Sequence, residues 1–184
     1  MHFIRITSAE NPMYSSAMEL YRQSFPKHEQ RQDASQKEIM RHTDYHFSLI
    51  YDGELFVGCI LYWETDTFIY VEHFYISPVL RNRKYGQRAL EELKKENKTI
   101  ILEIDPVVDD ISRRRKEFYE RVGFKANPFP HVHPPYHEGN HGHTLIIMSC
   151  PEEIPETLYQ RFNTYLQNTV MDHAISISER SGDA

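Results

Sequence analysis

Three apolar runs follow one another in the middle of this chain with almost nothing between them, and they restrict the fold more than any other feature. His46 to Tyr51 and Leu55 to Trp63 flank Asp52-Gly53-Glu54, a hairpin turn of the Asp-Gly type. Glu64 to Thr67 then separates the second run from Phe68 to Ser77. Strands on such short turns form an antiparallel meander. Pro78 stops the third strand. The spacing predicts a helix over Tyr85 to Asn97, with Ala89, Leu90 and Leu93 on one face and Glu91 paired to Lys95. Thr99 to Ile104 is an apolar run broken only by Glu103, as in a buried strand. Strand, helix and strand in that order imply a parallel crossover beside the meander. The expected class is α/β (α+β), a mixed, mostly antiparallel sheet with flanking helices.

The remaining elements build outward from this centre. His2 to Thr7 reads as a first strand. Asn11-Pro12 opens a helix that Pro26 ends, with Met18, Leu20, Tyr21 and Phe25 as its apolar face. The polar segment Lys27 to Gln36 reads first as a solvated connector, with a mobile helix near a substrate entrance as the other reading. Asp109-Asp110 caps a helix over Ile111 to Val122, and Gly123 closes it as a left-handed cap. Phe124 to Asn127 begins a strand, Pro128 to His143 is too irregular for an element, and Thr144 to Ser149 is the last strand. Residues 1–150 are expected to form one domain. Residues 151–174 form a C-terminal helix that packs on that domain or on a second subunit, and residues 175–184 a polar tail.

Charge and cysteine usage narrow the partners. The net charge of −6 argues against nucleic acid or an anionic membrane, because a phosphate-tracking surface needs a cationic excess. Cys59 and Cys150 form no framework of pairs and read as reduced core thiols. The start of the chain carries no apolar signal segment, and no run is long enough to span a bilayer. The expectation is a cytoplasmic protein.

Against that acidic background, the loop Arg81-Asn82-Arg83-Lys84-Tyr85-Gly86 is locally basic and runs into a helix start. Free N–H groups at a helix N-terminus bind anions, and the macrodipole reinforces them. Gly86 removes a side chain where backbone must approach a phosphate, and Arg88 adds charge. A basic solvated loop is the plainer reading of the same residues. The run is similar to the signature of the GNAT superfamily of N-acetyltransferases, Arg/Gln-x-x-Gly-x-Gly/Ala. Arg81 stands in its first position, Gly86 in its last, and Lys84 where the first Gly is usual. Phe118-Tyr119-Glu120-Arg121-Val122-Gly123-Phe124 resembles the superfamily's Phe-Tyr-x-x-x-Gly-Phe. Ser112 stands where the family often has Asn.

The resemblance spans roughly Phe47 to Ser149 and implies a specific site. The strand Phe68 to Ser77 would splay from Thr99 to Ile104 in a V that holds acetyl-CoA. Phe74, Tyr75 and Ile76 would lie along the pantetheine, with backbone of Phe74 and Ile76 pairing its amides. Arg81, Asn82, Arg83, Lys84, Tyr85, Gly86 and Gln87 would hold the pyrophosphate, with Ser112 and Arg113 or Arg114 towards the rest of the cofactor. Amine acetylation needs an acid, a base and an oxyanion donor, and no metal. Tyr119 is the candidate acid. Glu72 is the candidate base or a structural salt bridge; alternation puts it on one face with Tyr70, Phe74 and Ile76, partly buried and with a raised pKa. His73 is the second base candidate and needs a bulge to reach that face. Glu103, His133 and Tyr136 are assigned to the acceptor, with the His-rich loop as a lid. His131-x-His133 and His141-x-His143 resemble metal-ligand pairs but lack further partners at usual spacing. The expected activity is acetyl transfer from acetyl-CoA to a primary amine of a small molecule or peptide, by direct attack in a ternary complex. A homodimer is one expected assembly. A non-catalytic acyl-CoA-binding module on the same fold is the alternative, and a His-loop metalloprotein ranks below both.

Overall fold

The computed structural model describes residues 1–172 and residue 174. Its centre is one mixed sheet, whose strands are β1 (His2–Ile6), β2 (Tyr45–Asp52), β3 (Leu55–Glu64), β4 (Phe68–Ile76), β5 (Thr99–Ile104), β6 (Lys125–Ala126), β7 (His131–His133) and β8 (His143–Cys150). The order is β1-β2-β3-β4-β5-β8, with β6 and β7 both paired to β8. The ladders are antiparallel except β4 with β5, which is parallel. The meander and crossover are therefore present. The polar tail expected over residues 175–184 lies outside the described residues.

Alternation along the strands sorts the core into two layers. Cys59, Leu61 and Trp63 of β3 face α1 (Tyr14–Ser24), α2 (Asp33–Ile39) and α5 (Glu156–Tyr165). Val57, Ile60 and Tyr62 face α3 (Tyr85–Leu93) and the end of α4 (Asp110–Arg121). Residues Ala89, Leu90 and Leu93 are the buried stripe of α3. Burying such a stripe is the main driving force for holding a helix on a sheet. Helix α5 and the π-helical turn Leu166–Val170 lie on the first face through Phe162, Leu166 and Val170.

Several expectations need correction. The first helix starts at Tyr14, because the Asn11 side chain accepts the Met13 N–H in a turn. Asp109 is the N-cap of α4, and its reciprocal capping box with Ser112 moves the helix start to Asp110. The C-terminal helix expected over residues 151–174 begins at Glu156, since Pro155 stands at its N-cap, and passes into a π-helical turn that ends at Val170. Lys94 and Lys95 pair with Glu91 and Glu92 three residues back, so the pair Glu91–Lys95 does not form. The stretch Pro128 to His143 contains β7, where His131 and His133 point inward and Val132 outward. Lys27 to Gln36 is not a solvated connector. It holds a 3₁₀ turn (Lys27–Glu29) and the start of α2, and Arg31, Ser35 and Gln36 within it are buried.

Candidate active site

The site begins at an interruption of β4. Its ladder with β3 pairs Tyr62 with Val71 and Leu61 with His73, which leaves Glu72 as an extra residue. This is a β-bulge, and it reverses the alternation that follows. Phe68 and Tyr70 face the layer of α1 and α5, as does Tyr75 beyond the bulge. Phe74 and Ile76 face the α3 layer. Glu72 and His73 both point to the α1 side, so Glu72 does not share a face with Phe74 and Ile76 as alternation predicted.

The second feature is the end of the β4–β5 pairing. The parallel register runs from Phe68–Thr99 to Val71–Leu102 and stops, although β4 continues to Ile76 and β5 to Ile104. A cleft of about 620 Å³ opens there. Residues Tyr70 to Ile76 line one wall, Leu102 to Asp105 another, and Arg81, Arg115 and Tyr119 lie on the α3–α4 side. Phe25, His28, Glu29, His133, Tyr136 and His143 close the opposite side.

Glu72 is engaged in a buried ion pair. Arg31 donates to Oε1 from Nη2 at 2.8 Å and from Nε at 3.2 Å, the Tyr136 hydroxyl donates to Oε1 at 3.0 Å, and the Trp63 indole to Oε2 at 2.7 Å. Burial alone would push this carboxyl up. The Arg31 guanidinium, His73 and the donated hydrogen bonds outweigh it and hold the pKa at about 2. The expected rise is therefore reversed, and Glu72 does not suit a base working near neutral pH. Its structural reading, a salt bridge, fits the geometry. Arg31, which composition gave no reason to single out, is anchored further by Ser35 and by the carbonyl of Val170.

His73 lies beside this pair, with Nδ1 3.9 Å from Glu72 Oε1. Its Nε2 is 3.0 Å from the carbonyl of Glu29, an atom that only accepts, so the ring proton belongs on Nε2 and the lone pair on Nδ1. Burial lowers its pKa further than Glu72 restores it, so the ring is neutral at pH 7.

A second buried group surrounds Glu103. Tyr70 donates to Oε2 at 2.5 Å, and His131 Nε2 bonds Oε1. Burial would raise the Glu103 pKa, but His133, His131 and Tyr70 bring it below the ordinary value. The Tyr136 hydroxyl, 3.4 Å from His133 Nε2, links this group to Glu72. His137 donates to the carbonyls of Lys27 and Gln30, which ties the His-rich segment to the α1–α2 connection. Glu103, His133 and Tyr136 thus all reach the cleft wall, but their polar atoms are largely committed to one another. The inward histidines of β7 were hidden in the sequence because a strand with polar residues buried and Val132 exposed inverts the usual pattern.

On the other side of the cleft, the first helical bond of α3 runs from Arg88 N to Lys84 O at 3.0 Å. The N–H groups of Tyr85, Gly86 and Gln87 therefore lie outside the helix ladder and are available to an anion. Asn82 and Lys84 both adopt left-handed backbone, with φ of 61° and 62°. Lys84 thus keeps the turn that a glycine would take more easily. Arg81, Asn82, Arg83 and Lys84 are exposed around this helix start. Arg88 does not add free charge, because Asp52 takes its guanidinium at 2.7 and 2.8 Å. Gly86 has a packing reason: an added Cβ would stand 3.2 Å from the ring of Phe118.

Helix α4 supplies Tyr119, which is packed between Phe118 and Phe124. Burial pushes its pKa up to about 12 despite Arg115, so the hydroxyl stays protonated. Ser112 is not free for a ligand: its hydroxyl receives the N–H groups of Val108 and Asp109 and contacts Asp109 Oδ1 at 2.8 Å. Arg113 pairs with Asp110, and Arg114 is exposed with no ion pair among the described residues. The α4 arginine at the cleft wall is Arg115, paired to Asp105. Sequence reasoning missed it, along with Glu29 and Asp105, because the loops that bring them together are distant in the chain.

Comparison with known proteins agrees with this architecture. The family model described as the acetyltransferase (GNAT) family matches residues 11–124. A solved structure from Bacteroides thetaiotaomicron, assigned to the GNAT acetyltransferases, superposes with a TM-score of 0.88 at 34% identity, covering 93% of this chain and 98% of that one. An assigned acetyltransferase of Bacillus subtilis, YjbC, is 38% identical over 68 residues, which is 36% of this chain and 35% of the relative. The match therefore spans about a third of that curated relative. An aminoglycoside 6'-N-acetyltransferase solved with coenzyme A shares the fold, with a TM-score of 0.60 at 19% identity over 85% of this chain and all of the other. Among the described residues no helix is long and apolar enough to cross a membrane.

Proposed function

The chain belongs to the GNAT acetyltransferase family, and on that premise we propose that it transfers an acetyl group from acetyl-CoA to a primary amine by direct attack in a ternary complex. The observation that carries this reading is the joint placement of an open β4–β5 gap, an unpaired helix start on one side of it and a protonated tyrosine beside it. A thioester on a pantetheine arm needs that combination. The arm runs along the β4 edge at Phe74, Tyr75 and Ile76, where β5 no longer pairs. The pyrophosphate sits on the N–H groups of Tyr85, Gly86 and Gln87, with Arg81, Asn82, Arg83 and Lys84 around it and Arg114, in the first turns of α4, towards the outer phosphate.

Tyr119 is the acid in this reading. A hydroxyl with a pKa of about 12 keeps its proton until a thiolate forms beside it. His73 takes the place of Glu72 as the base, since its neutral ring keeps a lone pair on Nδ1. Glu72 and Arg31 then fix the imidazole and the wall behind it. The acceptor enters between the 3₁₀ turn and the His-rich loop, where Glu29, Glu103 and Asp105 give the wall carboxylate character suited to an ammonium. A small-molecule or peptide amine fits this description.

The test is thiol release from acetyl-CoA with a panel of polyamines, aminoglycosides, amino acids and peptides. Release that depends on one class of amine supports the reading. CoA binding with no release from any amine would replace it with a binding module on the same fold.

A further inference from the structure

His28, Glu29 and His143 come from opposite sides of the cleft mouth. The first two stand in the 3₁₀ turn after α1, and the third opens β8. One ligand atom from each lies within 4.8 Å of the other two. Within the group, His28 Nε2 is 3.5 Å from Glu29 Oε1, and outside it His143 Nε2 lies 3.5 Å from Asp105 Oδ1. Two ligands of one tetrahedral zinc, at bonds of about 2.0–2.1 Å, stand roughly 3.3–3.4 Å apart.

The hydrogen bonding sets these side chains apart from their neighbours. His131 bonds Glu103 and Tyr159, His133 bonds the carbonyl of Pro134, and His137 bonds Lys27 and Gln30. The side chains of His28, Glu29 and His143 make no hydrogen bond among the described residues; they make the long ion-pair contacts above and a ring contact between His28 and His143. They are partly exposed, so an ion could reach them without opening the core. Asp105 gives Oδ2 to Arg115 and keeps Oδ1 towards His143, where it could orient that imidazole.

We propose that His28, Glu29 and His143 form a binding site for a zinc-class divalent cation at the mouth of the cleft. Two imidazoles and one carboxylate suit zinc, cobalt or nickel better than calcium or magnesium. The ion would join the 3₁₀ turn to the start of β8 and narrow the entrance on the acceptor side. It takes no part in acetyl transfer, and its occupancy does not depend on that reading being right.

The test is zinc binding to the full chain without a polyhistidine tag, measured by competition with a chromophoric chelator. One zinc per chain is expected. His28→Ala and His143→Ala should each weaken it by about tenfold or more, while His141→Ala leaves it unchanged. Zinc should also raise the melting temperature of the native protein and not that of His143→Ala. Retention of native affinity in both His28→Ala and His143→Ala would overturn the proposal. So would loss in His141→Ala with none in His28→Ala, which would restore the pair suggested by the sequence.

Discussion

Replacing Glu72 by Gln tests whether this carboxylate holds the structure or performs chemistry. The side chain is buried, accepts four hydrogen bonds and balances a buried Arg31. Removing one partner of such a pair leaves an uncompensated charge, at a cost of about 3–5 kcal/mol. The pKa gives a second figure. A carboxyl held at about 2 in place of 4.5 corresponds to roughly 3 kcal/mol of native-state preference for the charged form. For a chain of this size, each kcal/mol lowers the melting temperature by about 2–4 °C, so Glu72→Gln should melt some 6–20 °C below the native protein. The pH dependence has a definite sign. The folded pKa is depressed, so the stabilisation is complete above pH 4.5 and is lost as pH falls through about 2. Native and Glu72→Gln stabilities, from urea unfolding at a series of pH values, should differ most at neutral pH and converge on acidification. Adding Arg31→Met should restore much of the loss. A difference below about 1 kcal/mol at pH 7, or one that does not shrink in acid, would refute the reasoning. Assayed well below its melting point, Glu72→Gln should keep most of its turnover. A loss of about a hundredfold with the fold intact would show that the carboxylate serves the chemistry, as base or by holding His73, beyond its part in stability.

Other substitutions probe the remaining parts. Tyr119→Phe should lower kcat by about 10²–10⁴ and leave CoA affinity unchanged in a binding titration; equal turnover would remove Tyr119 as the acid. Lys84→Gly should not destabilise the chain, whereas Lys84→Val should cost about 1–2 kcal/mol, because φ is 62° and a β-branched residue resists it. Thermal melts of the two variants separate these outcomes. Gly58→Ala would place a methyl 2.2 Å from the carbonyl oxygen of Tyr75, so the β3–β4 ladder must shift. A loss of about 1–3 kcal/mol, with weakened CoA binding at the adjoining β4 edge, is expected from denaturation and titration.

The sheet was legible because its long strands obey simple patterns. The turns at Asp52-Gly53 and Glu64 to Thr67 separate β2, β3 and β4 at the right places, and the buried run of β5 needed only a crossover helix before it. The helix start at Tyr85 was also readable from local chemistry. What escaped depends on contacts between distant residues. Arg31 looks like part of a polar connector until Glu72, 41 residues away, is placed beside it. The inward histidines of β7 make sense only with Glu103 beneath them. Ser112 looked available until its hydroxyl was found in the cap of its own helix. The bulge at Glu72 is visible only in its pairing with β3, since nothing in the residue types of β4 marks an insertion.

That bulge gives β4 two reading frames. Before it, Phe68 and Tyr70 set the phase; after it, Phe74 and Ile76 set another. The two frames overlap at Glu72 and His73, which lets neighbouring residues serve a single side of the sheet. In the proposed reading, the first half of the strand offers side chains to the acceptor and the second half offers backbone to the donor, so the two can be altered separately. A one-residue deletion at Glu72 would merge the frames and leave His73 opposite Leu61 on the α1 side, so the cleft wall would lose only the carboxylate that balances Arg31.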